Sequence, residues 1–358
     1  MSSEKIIQSN SKKVYKKICI FHKKYDMVLT ELIIMKIAVI GTSWITEKFI
    51  AGVRYNGLAE ICGVYSRTEA KGREFAEKLG IQNVYTSLET LAASDMDAVY
   101  IASPNSLHYS QSKLMLEHGK HVICEKPATT TENEMRELLA LAHKNNLIYT
   151  EAIMSMYVPA FDILKEQIAK IGNIRTANIV YCQLSSKYPA FLEGKNPNIF
   201  NPEFHTGCLA DIGVYNVFLA AGLFGLPDVI ISKSTFLSSG ADAQGTAVLV
   251  YTDKTVNLVY SKVGQSYSPS EFIGDKGTVS VNAVSQFTGI DFVDKNGRIN
   301  IVDYNIGRDE IMSHEANFFI RGCNGDTKAI KKINSVNEIA LIVRKISDEI
   351  RKQNNFPF

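Results

Sequence analysis

The chain reads as an α/β protein: a doubly wound parallel sheet in its first part and an α+β unit with an open, largely antiparallel sheet in its second. Three observations predict this. From Met35 to Glu151, short apolar runs rich in β-branched residues alternate with amphipathic helical segments, the rhythm of a parallel sheet with helices on both faces. After about Met154, strand-like runs begin to follow one another without helices between them, which favours antiparallel pairing. At 358 residues the chain is also longer than a single core usually fills.

The elements follow in order. Lys36–Ile40 is a short buried strand ending at Gly41, and Ile45, Phe49, Ile50 and Val53 mark one face of the helix after it. A second strand, Glu60–Tyr65, leads to Thr68 as N-cap of the helix Glu69–Leu79, which Gly80 stops. Val84-Tyr85 is an edge strand, Ser87 caps a small helix Leu88–Ala93, and Asp97–Ala102 is the next strand. The helix Leu107–Glu117 ends at Gly119. The run Val122-Ile123-Cys124-Glu125-Lys126-Pro127 is then a buried strand that proline, lacking an amide proton, terminates. Thr131 caps a helix running to about Asn145, and Leu147–Glu151 is the sixth strand. Beyond it the sequence predicts a helix Pro159–Ala169, a long strand Ile174–Leu184, a loop over Lys187–Gly207 and a helix Leu209–Leu223. Strands follow at Val229–Leu237, Gly245–Tyr251, Val256–Lys262, Ser270–Ile273, Thr278–Val281, Phe287–Val293 and Ile299–Tyr304, then helices near Ser313–Arg321 and Val336–Gln353. The expected organisation is an N-terminal extension over 1–34, a dinucleotide-type unit over 35–153, a substrate and oligomerisation unit over 154–335 and a closing helix over 336–358.

Composition narrows the function classes. A hydrophobic content of 46% with 21% charged residues suits a soluble globular protein. A net charge of +2 gives no electrostatic footprint for nucleic acid. No two of the 6 cysteines stand at a C-x-x-C spacing. That favours reduced thiols in the cytoplasm over a disulfide framework or a zinc site. No apolar stretch is read as long enough for a membrane span, and the lysine-broken run Ile18–Phe21 is too short for a signal-peptide core. Met35 opens the first strand, so either it is read as the natural first residue or residues 1–34 are read as an appendage; a packed N-terminal helix is the alternative.

In an open α/β sheet, ligands sit beyond the carboxyl ends of the strands, and four such ends carry chemistry. The first turn, Gly41-Thr42-Ser43-Trp44-Ile45-Thr46, is a degenerate G-x-G-x-x-G fingerprint with Ser43 and Thr46 in the second and third glycine positions. Trp44 either covers a dinucleotide or packs between layers. The second strand ends in Ser66-Arg67-Thr68 with Lys71 a turn later, where NAD-binding chains place a carboxylate. A guanidinium there suits a 2′-phosphate, so NADP is favoured over NAD; Arg67 stacking on adenine is the alternative. The fourth strand ends in Ser103-Pro104-Asn105, placed to line the nicotinamide ribose, with His108 on the following helix face. The fifth ends in Glu125 and Lys126, the lysine pointing into the crevice. Further on, Asp211 and Tyr215 stand four residues apart, which on a helix places carboxylate and phenol on one face. A phenol is a poor base at its usual pKa of about 10, and a nearby ammonium such as that of Lys126 lowers it. Tyr215 and Lys126 would then form a proton relay for an alcohol that loses hydride, with Asp211 orienting the substrate hydroxyl or sharing the proton load; an ordinary amphipathic helix with a chance pair is the alternative.

The ordered set of the Gly41 turn, Ser103-Pro104-Asn105, Glu125-Lys126-Pro127 and Asp211-x-Gly213-x-Tyr215 resembles the Gfo/Idh/MocA oxidoreductase family, from Met35 to the C-terminus. The D-x-G-x-Y segment is similar to the tyrosine branch of dihydrodiol and NADP-linked sugar dehydrogenases. The resemblance implies a Rossmann domain followed by an α/β domain whose open sheet mediates dimers or tetramers. It implies Lys126, Asp211 and Tyr215 as the catalytic set, with Gly41, Thr42, Ser43, Trp44, Ile45, Ser66, Arg67, Lys71, Ser103, Pro104, Asn105, His108, Glu125 and Lys126 around NADP or NAD. Thr206-Gly207-Cys208 replaces a glycine run frequent in relatives. The expected activity is hydride transfer at a hydroxyl or carbonyl carbon of a sugar, polyol or diol. A non-catalytic cofactor-sensing protein is the rival, and an imine or tetrapyrrole reductase a minor third.

Overall fold

The computed structural model describes residues 34–303 and 306–358; the readings of residues 1–33 lie outside the described residues. The first half contains β1 (Met35–Ile40), α1 (Trp44–Asn56), β2 (Ala59–Tyr65), α2 (Glu69–Leu79), β3 (Asn83–Tyr85), α3 (Leu88–Ala92), β4 (Ala98–Ile101), α4 (His108–Glu117), β5 (His121–Glu125), α5 (Glu132–Lys144) and β6 (Tyr149–Ala152). The six strands form one sheet in the order β3-β2-β1-β4-β5-β6, parallel throughout. The order reverses between β1 and β4, so a crevice opens at their carboxyl ends. Val99, Tyr100, Ile101, Val122, Ile123 and Cys124 are all fully buried, as continuous apolar strands covered on both faces must be. Local signals set the boundaries: Gly80 adopts φ 64 at the end of α2, and Thr131 with Glu134 forms a reciprocal capping box on α5.

The second half contains α6 (Met154–Tyr157), α7 (Pro159–Ile168), β7 (Ile174–Cys182), α8 (Tyr188–Leu192), α9 (Val214–Phe224), β8 (Val229–Phe236), β9 (Asp242–Val250), β10 (Thr255–Ser261), β11 (Ser270–Gly274), β12 (Thr278–Asn282), β13 (Gly289–Asp294), β14 (Gly297–Asp303), α10 (Arg308–Cys323) and α11 (Thr327–Asn354). Its eight strands lie in the order β14-β13-β12-β11-β7-β10-β9-β8. The sheet is mixed, because β7 enters its middle and pairs parallel with β10; the other pairings are antiparallel.

Several expectations are corrected. The Lys187–Gly207 loop holds α8 and two short 3₁₀ turns. The helix expected over Leu209–Leu223 begins as a π-helical turn, Leu209–Gly213, and becomes α-helical only at Val214. The ring of Tyr260 lies against Gly213, where a Cβ would stand 2.9 Å from Tyr260 Cγ. The last two helices start earlier than the apolar period suggests. Asp326 caps α11 by accepting the N–H groups of Lys328 and Ala329 at 2.9 and 3.1 Å, ahead of a polar, lysine-rich first turn. The 23-residue stretch Pro202–Phe224 is, by length and apolarity, enough for a span, contrary to the sequence reading; 72% of its apolar window is buried inside the protein.

α10 and α11 return to the first sheet. Gly52 of α1 lets α10 approach so closely that a Cβ would stand 2.9 Å from Ser313 N. The Arg344 guanidinium of α11 pairs with Glu151 at the end of β6, both fully buried.

Candidate active site

Every residue singled out from the sequence as binding cofactor or carrying chemistry lines one cleft of about 1220 Å³ at the carboxyl ends of β1, β2, β4 and β5. At its floor Gly41 has φ 110, and a Cβ there would meet the Ala102 carbonyl oxygen at 2.5 Å. Only glycine lets the two strand ends cross this closely. Ser43 is the N-cap of α1 but makes no side-chain cap bond; its hydroxyl lies 3.4 Å from that of Thr46. The first N–H groups of α1 therefore lack a side-chain cap at a positive helix end, which suits a pyrophosphate. Thr46, in the third glycine position, is fully buried. Trp44 is 59% exposed, with the Arg308 guanidinium 5.2 Å above its ring, so it stands over the turn and does not pack between layers.

At the end of β2, Arg67 and Lys71 are exposed and line the cleft. Neither has an ion-pair partner among the described residues, because Glu69 is held by Arg73 at 2.9 Å. Two free cations a helical turn apart fit an added phosphate, and no carboxylate of the β2 end lines the cleft. The donor set thus fits a pyridine dinucleotide at both its pyrophosphate and its adenosine end.

The β4 turn is held by its own side chains. Ser103 Oγ donates to Gln111 Oε1 at 2.7 Å, and Asn105 Nδ2 donates to the His205 carbonyl at 2.9 Å. The buried His108 ring lies between two carbonyl oxygens, of Pro127 at 2.9 Å from Nδ1 and of Ser103 at 2.8 Å from Nε2. Burial lowers its pKa. His108 and Asn105, expected to face cofactor, spend their polar atoms on tying the β4 turn to the β5 turn and to the second half.

Beyond that turn the Lys126 ammonium donates to the Asp211 carbonyl at 2.7 Å and to Asp211 Oδ1 at 3.1 Å, and it lies 5.2 Å from the centroid of the Tyr215 ring. The other Asp211 oxygen pairs with Lys262. Burial alone would raise the Asp211 pKa, but the two ammonium groups outweigh it and hold the carboxyl far below its usual range. Burial would lower Lys126, yet Asp211 foremost, with Tyr215 and Glu125, keeps it well above the usual lysine value. Tyr215 is a correction. Burial pushes its phenol well above the usual tyrosine value, and Lys126 opposes this only in part. Glu125 accepts the Tyr100 hydroxyl at 2.6 Å, and burial raises its pKa.

Sequence reasoning missed further groups. Lys262 follows β10 directly. Arg308, Met312 and Glu315 line the cleft from one face of α10, an i, i+4, i+7 stripe visible in the sequence but masked by a late helix start. Glu315 is buried with no partner for either oxygen among the described residues, and burial first, then Glu125, pushes it far above the carboxylate range. Tyr181, Gln183 and Ser285 supply hydroxyl and amide groups to the far wall. The Tyr181 and Tyr215 rings pack edge-to-face, 6.0 Å between centroids.

Residues 35–153 match the family model described as an oxidoreductase family with an NAD-binding Rossmann fold. The chain is 37% identical over 320 residues to the scyllo-inositol 2-dehydrogenase (NADP(+)) IolU of Bacillus subtilis, spanning 89% of this chain and 97% of that one. It is 40% identical over 266 residues to the uncharacterized oxidoreductase YgjR of Escherichia coli, spanning 74% and 81%. Among solved structures, the open conformation of KijD10, a 3-ketoreductase from Actinomadura kijaniata in complex with TDP-benzene and NADP, superposes with a TM-score of 0.75 at 22% identity, over 89% of this chain and 97% of that one. This last likeness concerns the fold.

Proposed function

This chain belongs to the Gfo/Idh/MocA oxidoreductase family and is an NAD(P)-dependent oxidoreductase; from that premise we propose that it interconverts a secondary hydroxyl and a ketone on a cyclic polyol or sugar, with NADP preferred. The observation that carries the reading is the contact of Lys126 with Asp211 beside the Tyr215 ring, in a cleft whose far wall presents hydroxyl and amide groups. Such a wall suits a ring bearing several hydroxyls. The inositol-oxidising relative and the unpaired Arg67 and Lys71 support the same choice of substrate and cofactor.

Bound in the cleft, the dinucleotide supplies the nicotinamide carbon that takes or gives hydride. Lys126 holds the substrate oxygen and offsets the negative charge that develops on it. Tyr215 exchanges the proton that the oxidation of an alcohol must release. Burial keeps the phenol protonated at neutral pH and makes it a weaker acid, so the Lys126 ammonium must support the phenolate, both when the phenol protonates a ketone oxygen and when the phenolate takes the alcohol proton. Asp211 stays a carboxylate and accepts a substrate hydroxyl. Gly41, Thr42, Ser43, Trp44 and Ile45 surround the pyrophosphate, and Ser66, Arg67 and Lys71 the adenosine phosphate. Ser103, Pro104 and Glu125 flank the nicotinamide side, while Asn105 and His108 hold that wall.

In this reading residues 35–153 carry cofactor and 154–335 carry substrate, closed by the C-terminal helix. Val229, Ile231 and Val259 share an outward, exposed face of the eight-stranded sheet, the surface for a homodimer or homotetramer. The free thiols of Cys62, Cys124, Cys182, Cys208 and Cys323 suit the cytoplasm. The test is NADP reduction by scyllo-inositol, myo-inositol, D-xylose and a dihydrodiol, followed by nicotinamide absorbance. Turnover of a polyol that is lost in Lys126→Met supports the proposal. Tight NADP binding without turnover of any compound in either direction would overturn it in favour of cofactor sensing.

A further inference from the structure

We infer that Lys262 is a positioning residue of this site: it holds one oxygen of Asp211 permanently, so that Lys126 can leave the other for the substrate oxygen. The inference rests on the reading of Lys126, Asp211 and Tyr215 given above. Asp211 bridges two ammonium groups, Lys262 on Oδ2 and Lys126 on Oδ1. A single lysine facing a single carboxylate is a neutral pair, and drawing the lysine away strands a partly buried anion, a costly state. With two lysines the cluster carries a net positive charge, and Asp211 keeps a partner whichever way Lys126 turns.

The two lysines are not equivalent. Lys126 lines the cleft and its side chain is 15% exposed. The Lys262 side chain is 9% exposed and stands behind Asp211, outside the cleft wall. Its backbone is pinned on both sides: the Lys262 N–H donates to the Ala243 carbonyl, and the Lys262 carbonyl accepts the Ser185 N–H, each at 2.9 Å. Both lysines follow a strand end, but the backbone of Lys262 is held by the sheet and its ammonium stands outside the cleft, whereas the Lys126 ammonium faces the cleft. The groups around Asp211 are Lys126 from the end of β5, Lys262 from the end of β10, the Tyr215 phenol from α9 and the Cys208 thiol. Burial raises Cys208 well above its ordinary value, and burial does the same to Tyr215, so both are neutral near pH 7. The charge balance at Asp211 is set by the two lysines.

The test compares Lys262→Met, Lys262→Gln and Lys262→Arg in the full chain with Lys126→Met in parallel. Lys262→Gln keeps an N–H donor on a side chain one atom shorter and removes the charge, so it serves if the methionine variant does not fold. Both neutral variants are expected to bind NADP within about twofold of wild type by quenching of Trp44. They should lose about tenfold or more in kcat, with KM changed by less than about threefold. Lys262→Arg should restore kcat to within about threefold of wild type. A neutral variant with wild-type kcat overturns the inference, as does an equal loss in Lys262→Arg and Lys262→Met, which marks a packing role. If Lys126→Met keeps its turnover, the catalytic reading itself has failed. If Lys126→Met is inactive and Lys262→Met is wild-type, only the role of Lys262 has failed.

Discussion

Replacing Arg67 by alanine separates the adenosine end of the cofactor site from everything else. Arg67 and Lys71 lie a helical turn apart in the cleft wall, both exposed and without an ion-pair partner among the described residues. A charge-assisted hydrogen bond from a guanidinium to a phosphate contributes about 1.5–3 kcal/mol. Lys71 remains as a point charge in the variant, so about 2 kcal/mol is the reasonable loss, or roughly 30-fold in Kd for NADP. NAD has no 2′-phosphate. Its only loss is stacking of the guanidinium on adenine, about 0.5–1 kcal/mol at an exposed site, or about two- to fivefold. The assay is direct because the chain has one tryptophan. Trp44 lies in the cleft at the start of α1, so its emission reports dinucleotide binding with no need for turnover. Wild type should prefer NADP, and Arg67→Ala should lose roughly tenfold of that preference. Because Arg67 faces solvent, the wild-type preference should also shrink as salt rises. Equal losses for NADP and NAD would refute the phosphate argument and leave Arg67 as a stacking residue.

Lys126→Met is expected to abolish turnover while leaving NADP affinity within about threefold. The variant should fold, because Lys262 still covers the Asp211 carboxylate; Trp44 titration and thermal melting check both points. Tyr215→Phe keeps the ring packing on Tyr181 and removes the exchangeable proton, so kcat should fall about 10²- to 10⁴-fold with Tm unchanged. Asp242 gives a pH signature. It is buried, its Oδ2 accepts the Leu209 N–H at 2.7 Å and its Oδ1 has no partner among the described residues. Burial pushes its pKa up to about 7. The folded state thus holds this proton more tightly than the unfolded chain. The associated stability is complete below about pH 4 and is lost as pH rises through about 7. Asp242→Asn keeps the acceptor and removes the charge, so it should melt higher than wild type at about pH 8 by a few kcal/mol equivalent, and its Tm should vary less between about pH 4 and 8. A variant that melts lower at alkaline pH would contradict the burial of an ionised Asp242.

The parts of the site legible in the sequence are those that strand ends specify locally. Gly41, Arg67, Pro104 and Lys126 each sit at or just past the carboxyl end of a parallel strand. Strand order alone brings those ends to one crevice, so finding the strands is enough to gather the residues. Lys262, Arg308 and Glu315 reach the same place by tertiary packing. β10 lies beside β7 in register, which carries Lys262 behind Asp211, and α10 crosses back onto α1 through the notch at Gly52. No local pattern encodes those distances. The i, i+4 spacing of Asp211 and Tyr215 predicts one α-helical face, yet Asp211 belongs to a π-helical turn and Tyr215 to the α-helix after it. The turn depends on Gly213 admitting the Tyr260 ring, a contact between residues far apart in the chain. The same limit applies to electrostatics. The sequence shows that Lys126 opposes protonation of Tyr215, but whether burial or charge prevails depends on how deeply the phenol is enclosed, and here burial prevails. The consequence is chemical. A phenol whose pKa burial has raised keeps its proton at rest but is a weaker acid, and its phenolate a stronger base, so proton transfer in either direction needs the Lys126 ammonium beside the phenolate. The resting site holds the proton that ketone reduction consumes, whereas oxidation first needs the phenolate; in both directions Lys126 leaves Asp211 for the substrate oxygen, and the ammonium of Lys262 is what leaves that carboxylate still paired.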